Sequence, residues 1–159
     1  MDIRHYRAGD ESGIAALIVP IQREEFGIPI SYEEQPDLRD IPGFYQTGAG
    51  QFWVAVEGDA IVGSIALKDI GDGAGALRKM FVAPSHRGAP HRAAARLLAV
   101  LLSHARAAGL TTLYLGTTAK FLAAHRFYEK SGFSAITPDE LPPTFPRMAV
   151  DTRFYFLSL

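Results

Sequence analysis

From Leu77 to Leu102 the chain reads LRKMFVAPSHRGAPHRAAARLLAVLL, and this stretch narrows the possible folds more than any other. Leu77–Val82 is rich in large apolar residues and reads as a strand. It must stop at Ala83-Pro84, because proline supplies no ladder N–H and restricts the residue before it. Beyond the loop, Ala94, Leu97, Leu98, Leu101, Leu102 and Ala105 recur at i, i+3, i+4, i+7, i+8 and i+11, the apolar face of a helix. The loop carries Arg87-Gly88, and the first helical turn is expected to hold His91 and Arg92. A basic, glycine-containing turn from strand to helix gathers free backbone N–H groups and the positive end of a helix dipole at one point. Such a point suits a phosphate.

The rest of the chain supplies the surroundings. At 159 residues, 48% of them hydrophobic, it is long enough for one domain with a real core and short for two. Residues 1–159 are therefore read as a single domain. The net charge of −1 offers no general field for nucleic acid or an anionic membrane, so any anion site must be local. Cysteine is absent, which removes disulfides and thiolate chemistry. With a polar start and no apolar run of spanning length, the expectation is a soluble, cytoplasmic protein.

In chain order, Ile3–Tyr6 reads as a short strand. A helix follows, N-capped by Asp10, striped by Ile14, Leu17, Ile18 and Ile21, and fading near Gly27. A second short helix is expected within Asp37–Gln46. Gln51–Glu57 and Ala60–Lys68 form a hairpin about Gly58-Asp59, and Gly71–Gly75 turns the chain into the strand at Leu77. After the central helix, Ala108-Gly109 is a stop and Thr112–Gly116 a buried strand, parallel to the one before the crossover. Thr117 or Thr118 can cap a helix over Lys120–Ser131, whose apolar face includes Phe121, Ala124, Phe127 and Tyr128. Gly132 ends it, Phe133–Ile136 starts a strand, Pro138–Pro146 is a loop, and Asp151–Leu157 is a last strand.

Two separated segments resemble one family. FVAPSHRG with its helix is similar to motif A of the GCN5-related N-acetyltransferases (GNAT), and AHRFYEKSGF, Ala124–Phe133, is similar to their motif B. The resemblance implies an α/β (α+β) GNAT fold, a mixed, mostly antiparallel, twisted sheet of about seven strands flanked by about four helices. It also implies acetyl-CoA as cosubstrate, held where the fourth and fifth strands splay. The partner would be a small-molecule amine, with neither nucleic acid nor membrane, and a homodimer is compatible with it. By the same resemblance, a main-chain N–H near Phe81 and Val82 binds the thioester carbonyl, and Tyr128 is the general acid. Arg87, Gly88, Ala89, His91, Arg92 and Ala93 form the pyrophosphate loop, while Thr118, Phe121 and Ala124 meet the pantetheine arm. Phe121 stands where the family often has an asparagine, so the polar contact is lost or moves to Thr117 or Thr118, and Phe121 packs either on the arm or in the core. Pro90 and Arg92 replace two small residues of the usual loop. Pro90 fits an early helical position, where its missing N–H costs nothing.

Other residues leave more than one reading open. No glutamate occupies the strand position from which some members take a general base, leaving water or a distant carboxylate, with Glu25 and Glu57 as candidates. Arg78 and Lys79 should point to opposite faces of their strand. One of them could meet an anionic group on the acceptor, or both could be salt-bridged or snorkelling. Glu24, Glu25, Glu33 and Glu34 either shape an amine pocket or form a solvated surface. The histidines show no metal-ligand spacing, so no metal is expected. A basic nucleic-acid helix over His86–Arg106 conflicts with its leucine stripe. The altered loop, the missing asparagine and the missing glutamate also fit a catalytically silent acyl-CoA-binding module.

Overall fold

The computed structural model describes residues 1–119 and 121–159. Its strands are β1 (Asp2–His5), β2 (Gln51–Glu57), β3 (Ala60–Gly71), β4 (Ala74–Val82), β5 (Thr112–Thr117), β6 (Ser134–Ile136) and β7 (Arg153–Ser158). The helices are α1 (Glu11–Pro20), α2 (Pro36–Arg39), α3 (Ile41–Phe44), α4 (Ala93–Ala107) and α5 (Leu122–Lys130). One sheet runs β1-β2-β3-β4-β5-β7-β6, antiparallel except for β4 and β5. The expected second helix is two short ones, separated at Asp40, whose side chain accepts from the Gly43 N–H at 3.1 Å.

Apolar runs make the central strands buried on both faces. In β2, Phe52 and Val54 pack beside Ile14, Ile18 and Tyr45 on the α1 side, while Trp53 and Ala55 pack beside Leu97 and Leu101 of α4. α4 buries Leu97, Leu98, Leu101 and Ala105 as its spacing predicts. Each such leucine contributes about 1.5–3 kcal/mol by leaving water. Close approach is possible because β3 has Gly63, where a Cβ would stand 3.0 Å from Leu97 Cδ1.

Three local expectations fail for physical reasons. Asp10 does not cap α1 through its side chain, because the carboxylate takes the Arg4 guanidinium at 2.8 and 2.9 Å and the Arg7 N–H at 3.0 Å. His91, Arg92 and Pro90 all precede α4, which starts at Ala93; Arg92 adopts φ +52° and its N–H donates to the Gly88 carbonyl. Neither Thr117 nor Thr118 is the N-cap of α5, whose cap position is Phe121 without a side-chain cap bond. The predicted start of that helix at Lys120 lies outside the described residues.

Two irregularities prepare a cleft. β4 and β5 pair only through Ala74↔Thr112, Gly75↔Leu113 and Ala76↔Tyr114, although β4 continues to Val82 and β5 to Thr117. Among the described residues, no strand pairs with the remaining backbone of β4 on that side. On the other side the register passes from Ser64↔Phe81 to Ala66↔Arg78, so Lys79 and Met80 together face Ile65, a β-bulge. Lys79 takes φ +51°, and its carbonyl accepts from Ser64 Oγ at 2.7 Å.

Candidate active site

The bulge changes where the side chains of β4 go. Arg78 and Lys79 do not diverge to opposite faces as strand alternation predicts. Both approach Asp37 Oδ2, at 3.9 and 3.5 Å. Tyr45 donates to the same carboxylate oxygen at 2.6 Å and accepts from Arg78 Nε at 3.1 Å. Lys79 Nζ donates to Gln35 Oε1 at 2.7 Å, and Gln35 exchanges hydrogen bonds with Gln22. Burial pushes the Tyr45 hydroxyl well above its ordinary pKa, which keeps it a donor. Desolvation lowers Lys79, with Asp37 opposing that shift.

This network forms one wall of a cleft whose other wall is β5 and α5. Phe81, Thr118, Phe121, Ala124 and Tyr128 line it, joined by Asp151 from the segment before β7. Tyr128 is buried against Phe133 and Tyr155. Among the described residues no side chain or carbonyl hydrogen-bonds its hydroxyl, and burial holds its pKa above the usual value, so it carries its proton at neutral pH. Phe121 lies ring to ring with Phe26, which also meets Phe81. Phe26 follows a single π-helical turn, Ile21–Glu25, that continues α1 past Pro20. Gly27, at φ +64°, ends the segment near where the sequence places its fade.

Asp151 was not legible as a site residue in the sequence. Its carboxylate accepts from the Met148 N–H at 3.0 Å and lies over β5, where a Cβ on Gly116 would be 2.7 Å from Oδ2. Desolvation raises its pKa, partly offset by Met148 and by the charges of Arg78, Arg147 and Lys79. A carboxylate of raised basicity and a protonated phenol lining the same cleft offer a base and an acid there.

The loop after β4 begins two residues beyond Phe81, which lines the cleft. Arg87 makes a two-point ion pair with Glu25, at 2.7 and 3.0 Å, and donates through Nε to the Val82 carbonyl at 2.9 Å. Gly88 takes φ +68° with open space around it, and Ala89 and Arg92 are exposed. Ala93, the first residue of α4, is fully buried. Glu24, Glu33 and Glu34 are exposed, and Glu34 accepts from Ser31, in keeping with a solvated surface. Glu57 pairs with the Met1 ammonium at 2.7 Å.

Known proteins share this sequence pattern and fold. A model of the acetyltransferase (GNAT) family matches residues 16–133. A GNAT-family acetyltransferase structure from Staphylococcus aureus Mu50 superposes with a TM-score of 0.94 at 35% identity, covering 99% of this chain and 98% of that one. An acetyltransferase structure from Streptococcus agalactiae 2603 gives 0.95 at 36% identity, with coverage of 99% and 98%. N-acetylaspartate synthetase of Danio rerio is 32% identical over 124 residues, 75% of this chain. The chain spans 43% of that relative's length.

Proposed function

Because the chain belongs to the GNAT acetyltransferase family, we propose that it moves an acetyl group from acetyl-CoA to the amine of a small molecule by direct attack in a ternary complex. The observation that carries this reading is the opening between β4 and β5, with Tyr128 and Asp151 lining the same cleft. Asp151 accepts a proton from the ammonium of the acceptor. The freed nitrogen attacks the thioester carbonyl, whose oxygen is held by an amide near Phe81 or Val82 on the unpaired side of β4. The C–S bond breaks as C–N is completed, Tyr128 protonates the departing sulfur, and the second proton lost from the acylated nitrogen restores the Tyr128 phenol. The first turn of α4 and the backbone from Arg87 to Ala93 take the pyrophosphate, and Thr118, Phe121 and Ala124 flank the pantetheine arm.

The acceptor in this reading also carries a carboxylate. Arg78 and Lys79 both line the cleft and act on Asp151 as well as on Asp37, and Arg147 also acts on Asp151, so three cations face two carboxylates there. Similarity to a protein named N-acetylaspartate synthetase points the same way. The second reading, a silent acyl-CoA-binding module, is favoured by Arg87, whose guanidinium is turned to Glu25. An acceptor screen separates the two. Coenzyme A release with amino acids supports the enzyme, and tight acetyl-CoA binding without turnover on any amine, polyamine or peptide supports the module.

A further inference from the structure

We propose that Glu57, His86 and His91 form a binding site for a divalent transition-metal ion of the zinc type. One ligand atom from each lies within 4.8 Å of the others. They come from the end of β2, from the short 3₁₀ turn Pro84–His86 and from the loop before α4. The histidines bracket Arg87–Pro90, so an ion here fastens both ends of that loop to the β2–β3 hairpin. The proposal stands on these three side chains and is independent of the acetyl-transfer reading.

His86 carries the argument. Its Nδ1 lies 2.8 Å from Ser85 Oγ, and its Nε2 is buried without a hydrogen-bond partner among the described residues. With Nδ1–H donating to the hydroxyl, Nε2 keeps its lone pair, as in a metal-bound histidine oriented by an outer hydrogen bond. Nε2 is 3.8 Å from Glu57 Oε1, too far for a hydrogen bond. Two ligands at about 2.0–2.1 Å from one tetrahedral ion stand about 3.3 Å apart, a contraction the exposed Glu57 side chain can supply. The two oxygens of Glu57 are divided: Oε2 takes the Met1 ammonium and Oε1 faces His86. The His91 ring lies 4.3 Å from that of His86, centroid to centroid. Two imidazoles and a carboxylate suit zinc and its neighbours, whereas calcium and magnesium prefer oxygen alone. Sequence spacing does not reveal the set, because Glu57 joins it only through the hairpin.

The test is calorimetric titration of zinc chloride into the untagged, chelator-stripped chain. The expected result is uptake of one zinc per chain, weakened at least about 10-fold by Glu57→Gln or His91→Asn and by a similar factor in Ser85→Ala, which removes the outer hydrogen bond. The exposed Glu57 and the half-buried His91 keep the test readable should His86 variants fail to fold. Absence of stoichiometric uptake by the unaltered chain would leave only a histidine–carboxylate pair and overturn the site. Undiminished uptake by His86→Asn/His91→Asn with a native circular-dichroism spectrum would assign the metal to other residues and overturn it equally.

Discussion

Arg78 and Lys79 on β4, and Arg87 and Arg92 in the loop that follows, are alike in chemistry and close in sequence, yet the fold uses them in opposite ways. The first pair is buried, with side chains 12% and 6% exposed, and is anchored to Asp37 within a fixed polar network. The loop pair is exposed, and Arg87 meets Glu25 with 44% and 35% of the two side chains in contact with solvent. Buried charges held by several partners have little freedom, so they can select a substrate by position. Exposed charges on a turn contribute little to stability and can change partners when an anion arrives. In the proposed reaction, recognition of the acceptor falls to rigid strand residues, and recognition of coenzyme phosphates mainly to backbone.

The comparison is open to attack from its stronger side first. Asp37→Ala leaves two buried cations without their shared carboxylate and should cost about 3–5 kcal/mol, measured as a lowered denaturant midpoint at unchanged slope. A small loss would mean that the network is wetter than its burial indicates. Asp151→Asn should lower kcat/KM on the order of ~10²-fold. The pH profile gives the sign. The carboxylate is the active form and its pKa is raised, so activity should fall as pH drops through a limb above the ordinary carboxylate range. That limb should vanish in the asparagine variant. Tyr128→Phe should reduce kcat by about 10² while acetyl-CoA affinity stays near that of the unaltered chain.

The loop side should respond more weakly. Gly88→Val forces a β-branched residue into φ +68° and should raise the acetyl-CoA KM several-fold, with little change in kcat. Glu25→Ala should alter stability by less than about 1 kcal/mol, since its ion pair with Arg87 is solvent-screened. A larger change would place that pair with the buried cations and erase the contrast.

Periodicity made the fold readable wherever pairing was regular. The alternating and apolar runs of β2 and β3, the stripe of α4 and the Gly132 stop after α5 all follow from local pattern, and motifs A and B add the family. The site was legible in part, since the same motifs single out Tyr128 and the loop. What remained hidden depends on irregularity and on long-range contact. Lys79 sits in a bulge, so alternation misdirects it and Arg78. Asp37 and Asp151 are distant in sequence from the strand they serve, and nothing near them marks their destination. His86 and Glu57 meet across a hairpin, which no spacing rule counts.

The proposed reaction is acetyl transfer to a carboxylate-bearing amine in the cleft between β4 and β5. Release of the coenzyme A thiol from acetyl-CoA, followed with an acidic amino acid beside an uncharged amine of similar size, tests it most directly. The account predicts release that depends on the amine, is greater for the acidic amino acid and is lost by about 10² in Tyr128→Phe. Tight binding of acetyl-CoA with no release on any amine would contradict it.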